Sequence, residues 1–362
     1  MKNRLPILLF AFLALLAAAW YALRPPALPE PLAVSPPPAP APAAPAPPAA
    51  VVREGLSASA VLSIDPRANP LRPKPVMVRT SAFNEFLAAK SYRALYDRLG
   101  STAEGQTADG KMVLYEILRQ CATVTEGRRP GFRASPPKRD EFLASIAPTD
   151  PNRDRRIAAF DDFAVDKCAG FGDVSMTQAQ LAALLVDAAA TGSAQAKAMV
   201  VEQDLWAARR GAGREGATIS DAQIESLKQV AASKDPEAIR VAGRVLGTSW
   251  NDYALRIGTD QQPVEPRAFV NAWLVLACEY GAPCAADTPR MLQACAFQGH
   301  CDAQNFPDYL YYYGSTPHDS QLLVQYRSTL QRAIETGDWT QLAVIRGQPP
   351  GSNRMTFVPG PR

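Results

Sequence analysis

Histidine is almost missing from this sequence. Its 362 residues hold two, His300 and His318, too few for most His-based metal centres or for a choice of His-dependent triads. An excess of one charge is missing too. Lys and Arg total 38 against 35 Asp and Glu, so the basic surplus with which nucleic-acid binders displace counterions is not there. Nor does any segment read as a Gly-rich phosphate loop, a G-x-S-x-G elbow or an H-E-x-x-H helix. The adjacent carboxylates Asp161 and Asp162 project on different faces of a helix, which does not suit a paired acid and base. No cofactor, no metal and no nucleic-acid partner is expected, and the composition points away from an enzyme. No cysteine precedes Cys121, which excludes a lipid-modified amino-terminal cysteine.

What is present at the amino end is a long apolar run. Residues 5–23 are 19 consecutive uncharged, mostly apolar positions, and as a helix they rise roughly 28 Å, about the thickness of a bilayer's hydrocarbon. Lys2 and Arg4 precede the run and Arg24 follows it. This bias keeps residues 1–4 in the cytoplasm and sends the rest outward, with Trp20 and Tyr21 at belt height. The expectation is a single-pass inner-membrane protein whose carboxyl-terminal domain faces the periplasm. A cleaved signal peptide ending in the small residues Ala17, Ala18 and Ala19 is the alternative. Residues 25–50 then carry 12 of the 33 prolines, mixed with alanine, a composition that favours extended polyproline II. At about 3.1 Å per residue such a spacer reaches up to roughly 80 Å. Residues 24–80 are read together as a Pro/Ala-rich disordered linker and irregular approach segment.

From residue 81 to 347 the apolar residues recur at helical spacing. Leu114, Ile117, Leu118 and Cys121 form one stripe, and Ile157, Phe160, Ala164 and Cys168 another. Phe269, Trp273, Leu276 and Tyr280 form a third, and Leu323, Tyr326, Leu330 and Ile334 a fourth. Thr177 with Gln180, and Ser220 with Gln223, match the capping box. Gly192, Gly211, Gly247, Gly281 and Gly314 follow apolar stripes, where a left-handed cap needs glycine. The expected fold is all-α, with about a dozen short helices paired as hairpins and stacked as an irregular solenoid or a helical bundle. Residues 348–362 are read as a disordered tail.

Paired alanines at a helix end, followed by a tight polar turn, occur at residues 189–194 and again at 231–236, with a weaker instance at 333–338. The interval between the first two is of the order that marks helical-repeat arrays. The segment AAATGSAQAKA at 188–198 resembles the Sel-like class of tetratricopeptide-related repeats. Ala277-Cys278-Glu279-Tyr280-Gly281 with Cys284 is similar to its cysteine-bearing secreted members, in which a disulfide ties consecutive helices. The resemblance covers residues 180–301, and anchor, spacer and stapled helices together resemble membrane-anchored periplasmic proteins of proteobacteria. The chain departs from the class in starting its cysteine pairs, at Cys278 and Cys295, only half a repeat apart. The resemblance implies protein-protein contact or scaffolding, not a reaction.

Six cysteines, Cys121, Cys168, Cys278, Cys284, Cys295 and Cys301, are an even number in a segment expected to face an oxidising compartment. Their C-x5-C spacing is not that of a zinc knuckle. Six residues of unbroken helix separate Cα atoms by about 9 Å, beyond disulfide reach, so local pairing needs a chain reversal. Gly281 with Pro283, and Gly299, supply one for Cys278–Cys284 and for Cys295–Cys301. The crossed pairing Cys278–Cys295 with Cys284–Cys301 stays open. Cys121 and Cys168 remain, as a bridge or as two buried thiols.

Two segments are candidate binding sites. Residues 128–156 hold eight basic side chains, including Arg128, Arg129, Arg155 and Arg156, against four acidic ones; they could meet anionic lipid or a cell-wall polymer, or simply be solvated. Tyr309, Tyr311, Tyr312 and Tyr313 could line a carbohydrate or peptide groove, or pack in the core after a turn begun at Pro307. The function expected is an interaction or envelope-scaffolding module whose partner is another envelope protein or a cell-wall component. The alternative is an envelope hydrolase or transglycosylase with a lone carboxylate as acid.

Overall fold

Many of the helices begin where a polar side chain takes up a free amide of the first turn. Thr177 and Ser220 both close full capping boxes with Gln180 and Gln223, and Thr316 does the same with Asp319. Ser193, Asp235 and Glu265 accept from the third helical amide of their own helices. The computed structural model describes residues 80–124, 137–212 and 216–347. The span at 5–23, the linker up to residue 79, Arg128, Arg129 and Arg133, and the tail from 348 lie outside the described residues. Among the described residues no helix is long and apolar enough to cross a membrane.

The order is α1 (Ser81–Ala88), α2 (Arg93–Ser101), α3 (Ala108–Cys121), β1 (Thr123–Val124), α4 (Arg139–Ser145), α5 (Arg153–Phe163), β2 (Ser175–Met176), α6 (Gln178–Thr191) and α7 (Ala194–Gly211). It continues with α8 (Asp221–Ala232), α9 (Pro236–Leu246), β3 (Ala254–Ile257), β4 (Gln262–Pro263), α10 (Pro266–Glu279) and α11 (Pro289–Gln298). Last come α12 (Phe306–Tyr309), α13 (Pro317–Thr336) and β5 (Leu342–Ile345). The molecule is mostly helical. A continuous succession of packed neighbours runs α3, α6, α7, α9, α10, α13, with α8 against α7, α9 and α13.

The two alanine turns are equivalent in three dimensions. Gly192 and Lys234, which hold the same place in their respective turns, both take the left-handed conformation. The next residues, Ser193 and Asp235, both cap the following helix, accepting from Ala196 and Ala238. The α6–α7 and α8–α9 hairpins are thus built on one turn design, and the fully buried Ala188, Ala196, Ala231 and Ala238 let their helices approach. The third instance differs: Gly337 caps α13 in the left-handed region, but the chain continues into β5, not into another helix.

Three further details correct the sequence reading. The fold is not purely helical. β1 and β2 pair in parallel, and β3 pairs with both β4 and β5 in an antiparallel sheet. These strands have two to four residues each, too short for two-residue alternation to stand out. Cys168 is not on a helix, because α5 ends at Phe163 with Ala164 as its cap. It sits in the following loop, where its amide donates to the Asp166 carboxylate. Gly247 caps α9 with a right-handed conformation. It is small because a Cβ there would stand 2.3 Å from Val270 of α10. Gly211 is the last residue of α7, and Gly314 ends a π-helical turn.

The main core surrounds α9 and α10, where Phe269, Trp273, Leu276 and Tyr280 are all buried. A second apolar cluster joins α1, α2 and α3 with Phe171. A third joins α4, α5 and α11, with Phe142 and Phe160 stacked at 4.1 Å and Phe297 edge-on to both.

Candidate functional site

Three disulfides are present, Cys121–Cys168, Cys278–Cys284 and Cys295–Cys301, with Cα separations of 5.1, 5.7 and 4.3 Å; no cysteine is free. The two short bridges use left-handed glycines, Gly281 and Gly299, as the reversals that such a local pairing requires. Their second cysteines are in loops: Cys284 precedes α11 by several residues, and Cys301 lies between α11 and α12. The backbone of Cys284 accepts from the amide of Phe306, so the first short bridge fixes the start of α12. The second encloses Gln298, Gly299 and His300.

Between these stapled segments opens a cleft of about 380 Å³, within the size range of small-molecule sites. One wall is α11, which contributes Arg290, Gln293 and Gln298; another is α12 with its π-helical extension, residues Leu310–Gly314. From α10 come Arg267 and Asn271. The π-helical turn places Tyr309 and Tyr313 on the same side. There His300 lies against Tyr313 with ring centroids 4.6 Å apart and an interplanar angle of 28°, and Tyr309 tilts toward the same imidazole at 5.8 Å. The Tyr309 hydroxyl donates to the Gln298 side-chain oxygen at 2.8 Å, which leaves the Gln298 amide group as a donor.

Charge in the cleft is one-sided. Its lining contains two arginines and no Asp or Glu. Arg267 donates to the Gly314 carbonyl at 2.5 Å, and the Arg290 guanidinium lies 4.2 Å from the centroid of the Phe306 ring, in cation–π range. Among the described residues neither forms a salt bridge. Desolvation lowers the Arg290 pKa, as do the charges of Arg240 and Arg244; Tyr309 opposes them. Arg240 and Arg244 are themselves paired with Glu237 and Glu202. An arginine still keeps its proton, so the cleft holds a positive charge that no carboxylate of the described residues meets.

The tyrosine segment divides. Tyr309 and Tyr313 line the cleft, whereas Tyr311 packs against the main core, where burial pushes its hydroxyl pKa up to about 12. Tyr312 points outward with 56% of its surface exposed. Of the basic segment, the described Arg139, Arg155 and Arg156 are each engaged in an ion pair. Arg155 pairs with Asp302 at 2.6 Å and donates to the Cys301 carbonyl; Arg156 pairs with Asp150 at 2.5 Å and donates to the Ala296 carbonyl. Both tie α5 to α11 and its disulfide loop, and Arg139 is held by Asp161. Arg128 and Arg129 lie outside the described residues. Sequence reasoning missed Arg267, Arg290 and the stacking role of His300. The signal available was the position of His300 beside Cys301 and Gly299, inside a short bridge.

Comparison with protein-family models, with curated proteins and with solved structures finds no match. Among the described residues no group of three or more His, Cys, Asp or Glu is placed to hold a metal ion.

Proposed function

We propose that this chain is a non-catalytic binding module of the cell envelope, carried outside the cytoplasm by its amino-terminal apolar run and engaging an envelope component through the cleft between α11 and α12. The observation that carries this reading is the lining of the cleft. Arginines, amides and stacked rings are recognition groups, whereas a glycoside-cleaving site needs a carboxylic acid beside the scissile bond. The rival hydrolase has no carboxylate in this lining. Three closed disulfides support an oxidising compartment, and the shared α6–α7 and α8–α9 turn design supports a repeat scaffold of the Sel-like kind.

The test uses the full chain in detergent, incubated with envelope fractions. Retention of envelope material by the unaltered protein should be lost in Gln293→Trp, which fills the cleft, while release of soluble fragments stays at background. Release that disappears in His300→Ala would overturn the reading in favour of a hydrolase.

A further inference from the structure

We infer that the cleft takes a pyranose ring bearing one anionic group, a carboxylate or a phosphate monoester. The anion meets Arg290, and the ring lies across Tyr313. This deepens the binding reading above and rests on it.

The charge argument is the first support. The Arg290 guanidinium lies over the Phe306 ring and among the described residues forms no salt bridge, and its N–H fork matches the paired oxygens of a carboxylate or phosphate. Arg267 stands in the same lining with one bond to a backbone carbonyl. No acidic side chain in the lining competes for either arginine. The rest of the lining selects what carries the anion. Tyr313, braced by His300, is an aromatic plate of the kind on which the apolar face of a sugar can rest. Asn271, Gln293 and Gln298 offer amide donors and acceptors suited to ring hydroxyls. A purely apolar ligand would leave these amides unpaired, at a cost.

The experiment is calorimetry on the full chain in detergent with three probes: glucuronate, glucose 6-phosphate and glucose. At least one of the two anions should bind, with glucose weaker by about tenfold or more, the range of a charge-assisted hydrogen bond. Binding of glucuronate alone identifies a carboxylate source, of glucose 6-phosphate alone a phosphate source, and of both a site that reads charge. Arg290→Met should weaken the anion by about tenfold and leave glucose unchanged. Tyr313→Ala should weaken the anion and glucose alike. Circular dichroism checks that each variant folds, and Arg267→Gln serves if Arg290→Met does not. Equal binding of glucose and the anions, undiminished anion binding in the folded arginine variant, or no binding of either anion would each overturn the inference. In the last case, envelope retention still lost in Gln293→Trp would leave the binding reading standing and show that only the ligand class was wrong.

Discussion

Replacing Cys121 and Cys168 with serine should destabilise the protein more than removing either short bridge. The first pair is separated by 47 residues in sequence and each of the others by 6. In the chain-entropy account, the constraint on the unfolded state is worth about 4 kcal/mol for the long loop and about 2 kcal/mol for a short one. For a chain of this size, each kcal/mol moves the melting temperature by roughly 2–4 °C. The double substitution C121S/C168S should therefore lower it about twice as far as C278S/C284S or C295S/C301S. The long bridge also ties the last residue of α3 to the loop that leads, through Phe171, into β2, so its loss frees the edge of the second apolar cluster. The assay is thermal unfolding followed by helical ellipticity, with the cysteines left in each variant verified as oxidised by non-reducing peptide mapping. An equal or smaller loss for C121S/C168S would refute the entropic reasoning and place the worth of these bridges in native contacts.

A Cβ added at Gly243 would stand 2.2 Å from the Trp273 Cβ, so G243A should lose about 1–3 kcal/mol by overpacking. At Gly100 in α2 nothing lies within 4 Å, and G100A should gain about 0.5–1 kcal/mol; denaturant melts compare the two. Burial pushes the hydroxyl pKa values of Tyr115 and Tyr311 up to about 12. The folded state thus holds these protons longer than the unfolded chain does. Their contribution to stability is complete below pH 10 and falls as pH rises from 10 toward 12, and Tyr115→Phe should flatten that decline in an alkaline unfolding series. A reporter active only outside the cytoplasm, fused after Gly347, should be active and remain with carbonate-washed membranes; soluble release would indicate cleavage after the small residues at 17–19. C295S/C301S should weaken anion binding in calorimetry while the helical spectrum at 25 °C is kept, because His300 loses its bracket.

Much of the helical framework was legible because its signals are local. The capping pairs Thr177 with Gln180 and Ser220 with Gln223 need only side chains one helical turn apart, and the stripe from Phe269 to Tyr280 needs only one helix face. The π-helical turn at residues 310–314 was not legible, since a run of tyrosines at helical spacing fits an ordinary helix equally well. That one irregular turn decides which of the four rings meet the cleft. The strands leave no local signal, because β3 is held by β5 from the far end of the domain and so short a segment of mixed polarity shows no period of its own.

Arg155 and Arg290 show why a basic side chain cannot be assigned from sequence. Both are arginines in a chain of nearly balanced charge, and the first belongs to the obvious basic segment. Yet Arg155 spends its donors on Asp302 and the Cys301 carbonyl, at an exposed site where an ion pair is worth little but fixes the loop after α11. Arg290, with no basic cluster around it in sequence, gains its surroundings from α12 and from the α9 arginines brought near by folding. The short bridges complete that arrangement. Each removes only modest entropy from the unfolded chain, but one fixes Phe306 under Arg290 and the other fixes His300 beside Tyr313. Their placement thus follows the positioning of the cleft's walls more closely than the needs of global stability, where a longer loop would have constrained more.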